Sequence, residues 1–228
     1  RFFELIRNSF LLGFGAALIS VILALFLGYG KRMLPGKTTI LSVRTASIGY
    51  AIPGTVIAVG VIIPFAWLDG RIDAFMQSSF GISSGLILSG TIVAVMFAYV
   101  VRFLAISLQT VESGLDKIKP SMDDAARSLG CLPRETLFKI HIPLMKSSTL
   151  TALMIVFVDV MKELPATLIL RPFDFNTLAV RAFELASDER LADSSTAALT
   201  IVLVGLVPVI ILSKIISQSR LVQENVQI

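Results

Sequence analysis

Five mainly apolar segments, at approximately residues 10–30, 46–68, 86–108, 144–169 and 196–216, alternate with polar stretches that carry most of the Lys and Arg. Each is long enough to cross about 30 Å of hydrocarbon, which takes roughly 20 residues of α-helix. The fourth departs furthest from a plain apolar run, because it contains Asp159, Lys162, Glu163 and Pro165. None of the segments is a short apolar stretch followed by a small-residue cleavage site, as in a secretory signal. The pattern predicts an all-α, polytopic membrane helical bundle. A longer polar interruption, residues 117–146, separates the third span from the fourth.

Composition agrees with the pattern. Of 228 residues, 55% are apolar and only 16% charged, well below the roughly 25% charged residues of soluble domains. Mean hydropathy is +0.83. The net charge of +4 would suit a nucleic-acid partner, but the cations sit beside the spans, where the positive-inside bias accounts for them. Lys31, Arg32, Lys37 and Arg44 in the first loop, and Lys117, Lys119, Arg127, Arg134, Lys139 and Lys146 around the interruption, place both on the cytoplasmic side. Residues 69–85 and the stretch 171–195, richer in Asp and Glu than in Arg, then face outward, and the carboxyl end beyond Lys214 and Arg220 faces inward. This topology leaves the amino end outside. The sequence opens without Met, as expected of a piece of a longer protein, and an upstream span would restore a cytoplasmic amino terminus.

The interruption reads as a helical hairpin. Ser121 is placed to cap a first helix, with Asp124 at its third position completing a capping box, and Asp123 and Asp124 favour the positive end of the helix dipole. Ala125 and Ala126 keep one face flat enough for another surface to approach. Gly130 suits the left-handed residue that ends a helix, and Pro133 the first turn of the next. The second helix, roughly residues 133–142, carries Leu137, Ile140 and Ile142 beside Arg134, Lys139 and His141 until Pro143 breaks it. Cys131, the sole cysteine, lies in the turn and forms no intramolecular disulfide; His141, the sole histidine, is expected at the membrane interface. No nucleophile elbow, phosphate-cradling loop or zinc motif appears, so no catalytic residue, metal site or cofactor is assigned. If ATP is hydrolysed, another subunit does it.

The frame Asp124-Ala125-Ala126, three residues, Gly130, nine residues, Ile140-His141-Ile142-Pro143 resembles the EAA loop of the permease subunits of ATP-binding-cassette (ABC) importers, with Asp for Glu and Ile for Leu. In that family the loop is a coupling helix seated in a groove of the ATPase subunit, a helix-in-groove contact. The resemblance implies an ABC ATPase dimer in the cytoplasm that binds ATP and Mg, a soluble substrate-binding protein outside, a second permease half fused or separate, and residence in a bacterial inner membrane. Residues 1–228 would be one permease domain, with 117–146 the coupling loop within it. The alternative for the loop is an ordinary amphipathic interfacial helix. The stretches GYAIPGTVIAVG, AYVVRFLAISL and FVDVMKELPATLILRPFDFNTLAVRAFELASDERLADSS are similar to the carboxyl-terminal half of iron(III) importer permeases. Related permeases move sulfate, thiamine or polyamines. A secondary transporter or channel is the competing class, but it leaves the hairpin unexplained and finds no inverted repeat; a membrane scaffold without transport is a third.

Within the fourth segment, Asp159 and Lys162 are three residues apart and can pair on one helical face. A charge at the bilayer centre costs about 2.5–3.5 kcal/mol on insertion scales, so Asp159, Lys162 and Glu163 are expected to line the translocation pathway or to form a structural ion-pair network. Pro165 should bend or end the helix there. Bends are also expected at Pro53 and Gly54, beside Tyr50, and at Gly205 and Pro208. Arg102 should snorkel from the inner end of the third span. Asn176 is a candidate helix cap in an outer stretch that could receive the binding protein or simply be solvated.

Overall fold

The computed structural model describes residues 2–226, with side chains described through residue 214 except at 212. Among these residues the chain is all helical. The elements are α1 (Phe2–Met33), α2 (Lys37–Ala46), a 3-10 turn (Gly49–Ala51), α3 (Gly54–Phe80), α4 (Ile92–Leu115), α5 (Pro120–Ser128), α6 (Pro133–Thr136), a π turn (Leu137–His141), α7 (Ile142–Leu144), α8 (Lys146–Met161), α9 (Pro165–Leu170), α10 (Leu178–Ser187) and α11 (Leu191–Val226). Helices α1, α3 and α4, and residues Leu191–Ile211 of α11, are each long and apolar enough to cross a membrane; a fifth span is reached by joining Pro133–Leu144 to α8 across a 77° bend.

The centre of the bundle is the trio α1, α4 and α8. Lipid is as apolar as a leucine side chain, so helices in a membrane associate through close packing, which small residues permit. That is what the contacts show: Ala16, Ala17, Ala24, Ala94, Ala98, Ala105 and Ala152 are all buried. Gly114 of α4 lies so near α8 that a Cβ there would sit 2.8 Å from Ser148 Cβ. Large apolar residues such as Phe14, Phe26, Ile63, Trp67, Leu203 and Val207 point outward, as they should where the surroundings are hydrocarbon.

Several predicted boundaries shift for local reasons. The predicted second span, 46–68, is not one helix: α2 ends at Ala46, a 3-10 turn crosses Gly49, and α3 begins at Gly54. Pro53 forces this restart, because its ring fixes φ and removes a donor, and it stands at φ −55°, ψ 140° just before the helix. The turn packs on α4 so closely that a Cβ at Gly49 would overlap the Val101 carbonyl oxygen. At its other end α3 runs on to Phe80, beyond the predicted limit of 68. The stretch after it, expected as an outer loop to residue 85 and as the start of the third span from 86, is instead folded back ahead of α4 by two aspartates one helical turn apart. Asp69 accepts from the backbone N–H groups of Ile87, Leu88 and Ser89 at 3.1, 2.9 and 2.7 Å, and Asp73 from those of Ser84 and Gly85 at 2.7 and 3.2 Å.

The predicted fourth span is broken. Helix α8 stops at Met161 and α9 restarts at Pro165, where the proline ring excludes a continuous ladder through the carbonyl four residues earlier. The expected bend at Pro208 is not an interruption, since α11 passes through it. The Asn176 cap is corrected: Thr177 caps α10, its hydroxyl accepting from the Val180 N–H at 3.3 Å, while Asn176 uses its carbonyl to accept from Asn8 at 3.1 Å. The far end of the predicted fifth span and the Arg220 side chain lie outside the described side chains. Replacing Gly49 by Ala should lower the thermal unfolding midpoint of the detergent-solubilised protein, at about 1–3 kcal/mol for overpacking against backbone that cannot rotate away; an unchanged midpoint would show that the turn can retreat from α4.

Candidate functional site: a polar hairpin and a charged break

Two polar places bear on function, and the first is the hairpin. Its first helix, α5, starts two residues earlier than expected. Pro120 occupies the first helical position, and a residue before proline is driven to extended backbone; Lys119, at φ −61°, ψ 137°, is therefore the N-cap, with no side-chain cap. Ser121 lies inside the helix, so its predicted capping role is not realised. The far end follows expectation. Gly130 has φ +80°, and the bonds Cys131 N–H to Ala126 O and Gly130 N–H to Arg127 O, both 3.0 Å, complete a Schellman motif.

The second helix does not end at Pro143. The backbone widens into a π turn over Leu137–His141, with Ile142 N–H reaching Leu137 O, and the helix continues to Leu144. The wider turn removes the close carbonyl that a proline ring would strike, and the bend comes at Met145 instead. At its start the Leu132 N–H donates to Glu135 Oε2 at 3.0 Å, and Lys139 donates to the other Glu135 oxygen at 2.9 Å. The Lys139 hydrogen bond holds the half-buried Glu135 carboxyl below its ordinary pKa and raises that of Lys139.

Asp123, not Asp124, anchors the hairpin. The Asp124 side chain is exposed and only loosely paired with Arg127 at 3.9 Å, whereas Asp123 is buried. Its Oδ2 accepts from Arg32 Nε at 2.8 Å and its Oδ1 lies 2.6 Å from His141 Nε2. A carboxylate only accepts, so Nε2 carries the proton. His141 is 0% exposed, which corrects its expected place at the interface. Of the motif residues, Ala126 is buried, Ile140 and Ile142 are half-buried, and Asp124, Ala125, Gly130 and Pro143 are exposed. Met122, Ala125 and Leu129 face out from α5 together with Leu132 in the turn, Leu129 at 84% exposure.

The second place is the break between α8 and α9. Lys162 bonds Asp159 at 2.8 Å as the spacing implied, with side-chain exposures of 65% and 13%. Glu163 turns the other way. It is buried, accepts from Arg102 Nη1 at 3.3 Å and from the Ala166 N–H at 3.3 Å. Arg102 therefore does not snorkel; it sits midway along α4 and is held in the bundle. The start of α3 closes over this pair, since a Cβ at Gly54 would strike both Arg102 Nη1 and Glu163 Oε1. Beside it the buried Tyr99 and Thr167 hydroxyls share a hydrogen bond, and Thr167 also donates to the Glu163 carbonyl at 2.8 Å. Sequence reasoning brought Asp159 and Lys162 together but missed Arg102, whose partner is 61 residues away. Among the described residues no group of three or more His, Cys, Asp or Glu could hold a metal ion.

A helical bundle with a polar hairpin between spans and a charged, broken span is the architecture of a membrane permease. Residues 10–222 match the family described as binding-protein-dependent transport system inner membrane component, and the chain belongs to it. It is a multi-pass inner-membrane transport component. The Fe(3+)-transport system permease protein FbpB 2 of Haemophilus influenzae is 28% identical over 94% of this chain, which spans only 39% of that relative's length. The putative 2-aminoethylphosphonate transport system permease protein PhnV of Salmonella typhimurium is 28% identical over 87% of the chain and 68% of its own length. Two solved structures share the fold: the MetNI methionine ABC transporter, with TM-score 0.67 and 17% identity over 95% of this chain and 93% of that one, and an amino acid ABC transporter, with TM-score 0.62 and 18% identity over 92% and 90%.

Three substitutions probe these places. Glu163→Ala should destabilise the protein by about 3–5 kcal/mol, the usual consequence of leaving one member of a buried ion pair alone, while Lys162→Ala should change stability little because the ammonium is mostly solvated. Equal unfolding midpoints for the two variants would contradict the burial difference. Gly130→Val should cost about 1–2 kcal/mol through the left-handed backbone it must adopt, read as faster proteolysis of the hairpin with the bundle intact; wild-type protection would show that the turn can relax.

Proposed function

We propose that this chain is a transmembrane subunit of an ATP-driven ABC importer, that residues 117–146 are the cytoplasmic loop on which an ABC ATPase sits, and that the cargo is iron(III). The observation that carries the reading is the two-sided hairpin. One side is tied into the bundle through Asp123 and His141, and the other offers Met122, Ala125, Leu129 and Leu132 to solvent. An exposed apolar strip flanked by Asp124 and Arg127 fits an apolar groove with a charged rim, the helix-in-groove mode. The spacing from Asp124 through Gly130 to Pro143, with Ala126, Ile140 and Ile142 packed beneath, supports the same assignment. ATP and Mg would bind the partner ATPase dimer, a substrate-binding protein would deliver cargo outside, and a second permease half would complete the path.

Asp159 and Lys162 are assigned to that path, with Glu163, turned into the bundle onto Arg102, as the structural ion pair behind them. A mostly exposed ammonium at Lys162, about 24 Å along α8 from its cytoplasmic start by helix rise, would be costly against lipid and suits a protein-facing or water-filled surface. Iron(III) is favoured by the likeness to FbpB 2 over nearly the whole chain. The second reading, 2-aminoethylphosphonate, is favoured by equal identity to PhnV over a larger share of that relative.

Leu129→Asp should leave insertion and stability unchanged, because the side chain is already in solvent, and should abolish co-purification of the ATPase subunit and ATP-dependent uptake of radiolabelled iron(III). Retained ATPase and uptake would count against the docking role. Uptake of 2-aminoethylphosphonate but not iron by the unsubstituted complex would transfer the cargo assignment to the second reading.

A further inference from the structure

The last turn of α1 does more than end a span. Arg32 spreads its guanidinium over three elements: Nε and Nη2 reach Asp123 Oδ2 of α5 at 2.8 and 2.7 Å, Nη1 donates to Leu115 O at the end of α4 at 2.5 Å, and Nη2 donates to Ile118 O in the linker at 2.8 Å. Tyr29, three residues earlier and so on the same face of α1, donates its hydroxyl to Pro133 O at 2.8 Å. Its ring stands edge-on to His141, centroids 5.1 Å apart. His141 closes the loop on Asp123.

Both helices of the hairpin are thus gripped by one turn of α1, α5 through Arg32 and the second helix through Tyr29 and His141. The same turn is fastened to α4, by Lys31 to Glu112 at 2.6 Å and by a close approach at Gly28, where a Cβ would lie 3.2 and 3.3 Å from Leu115 and Val111. We infer that Arg32, Asp123 and His141, with Tyr29, form the joint that makes the hairpin, α1 and α4 move as one body. This rests on the hairpin being the ATPase seat. A partner can drive a conformational change only through contacts that differ between its states, and the displacement reaches the spans only if the seat does not slip on them. The guanidinium suits this role because its planar fork binds several acceptors in fixed directions, which an ammonium cannot do. Arg32, Asp123 and His141 are positioning residues: none faces the exposed strip of α5.

The test uses the full complex in proteoliposomes with ATPase and binding protein present, in a Cys131→Ser background, with spin labels at the exposed positions 113 at the end of α4 and 139 in the hairpin. In the parent complex the distance between labels should be the same with and without ATP. In Asp123→Asn the ATPase should still bind and hydrolyse ATP, while the distance shifts with nucleotide and iron(III) uptake per ATP falls about ten-fold. Should Asp123→Asn fail to assemble, Arg32→Lys, which keeps the charge and loses the fork, gives the same reading. An assembled variant that keeps the parental distance in both nucleotide states and the parental uptake per ATP overturns the joint while leaving the function intact. Absence of ATPase from the parent complex overturns the functional reading, and the joint with it.

Discussion

The constraint behind this structure is that hydrocarbon offers no partner to a charge or to an open backbone group, so the protein must supply every one itself. Apolar matching cannot choose among helix pairings when the solvent is as apolar as the side chains. What is left to specify the arrangement is close packing of small residues and the few polar contacts that have to be satisfied. The alanine-lined centre of α1, α4 and α8 is the first kind of solution. The Arg102–Glu163 pair, the Tyr99–Thr167 bond and the Arg32–Asp123–His141 cluster are the second.

Those polar contacts fall at two heights. At one end of the bundle, the ends of α1 and α4 meet the hairpin. Further along, the break after Met161 meets the middle of α4 and the start of α3. Each lies where a proline perturbs a helix, restarting it at Pro53 and Pro165 or widening it into a π turn ahead of Pro143, and where neighbouring groups take up the consequence. The Glu163 carboxylate accepts from the first turn of α9, and a π turn makes room for Pro143. Between the two heights α1, α4 and α8 are uninterrupted.

Much of this was legible in the chain because it is local. Apolar run length located the spans. The left-handed turn at Gly130 and the Asp159–Lys162 pair follow from spacing along one helix. The capping of α5 was misread for an equally local reason: the rule that places Ser121 at the cap is overridden by Pro120, which moves the cap to Lys119. What could not be read is the pairing of residues far apart. Asp123 and Asp124 are adjacent carboxylates with equal local credentials, and only the arrival of Arg32, 91 residues away, makes one an anchor and leaves the other in solvent. Arg102 was misplaced because nothing near it in the chain announces Glu163. The fold-back of residues 81–91 did carry a signal, two aspartates one helical turn apart at 69 and 73, which hydropathy alone discards.

The account stands on the hairpin lying in the cytosol under a bound ATPase, and the chain carries its own reporter. Cys131, the sole cysteine, is partly exposed in the hairpin turn. A membrane-impermeant maleimide should leave it unlabelled in intact spheroplasts, label it in inside-out vesicles stripped of peripheral proteins, and be excluded again when the ATPase is restored. Labelling in intact spheroplasts, or labelling in vesicles that restored ATPase does nothing to reduce, would contradict the account.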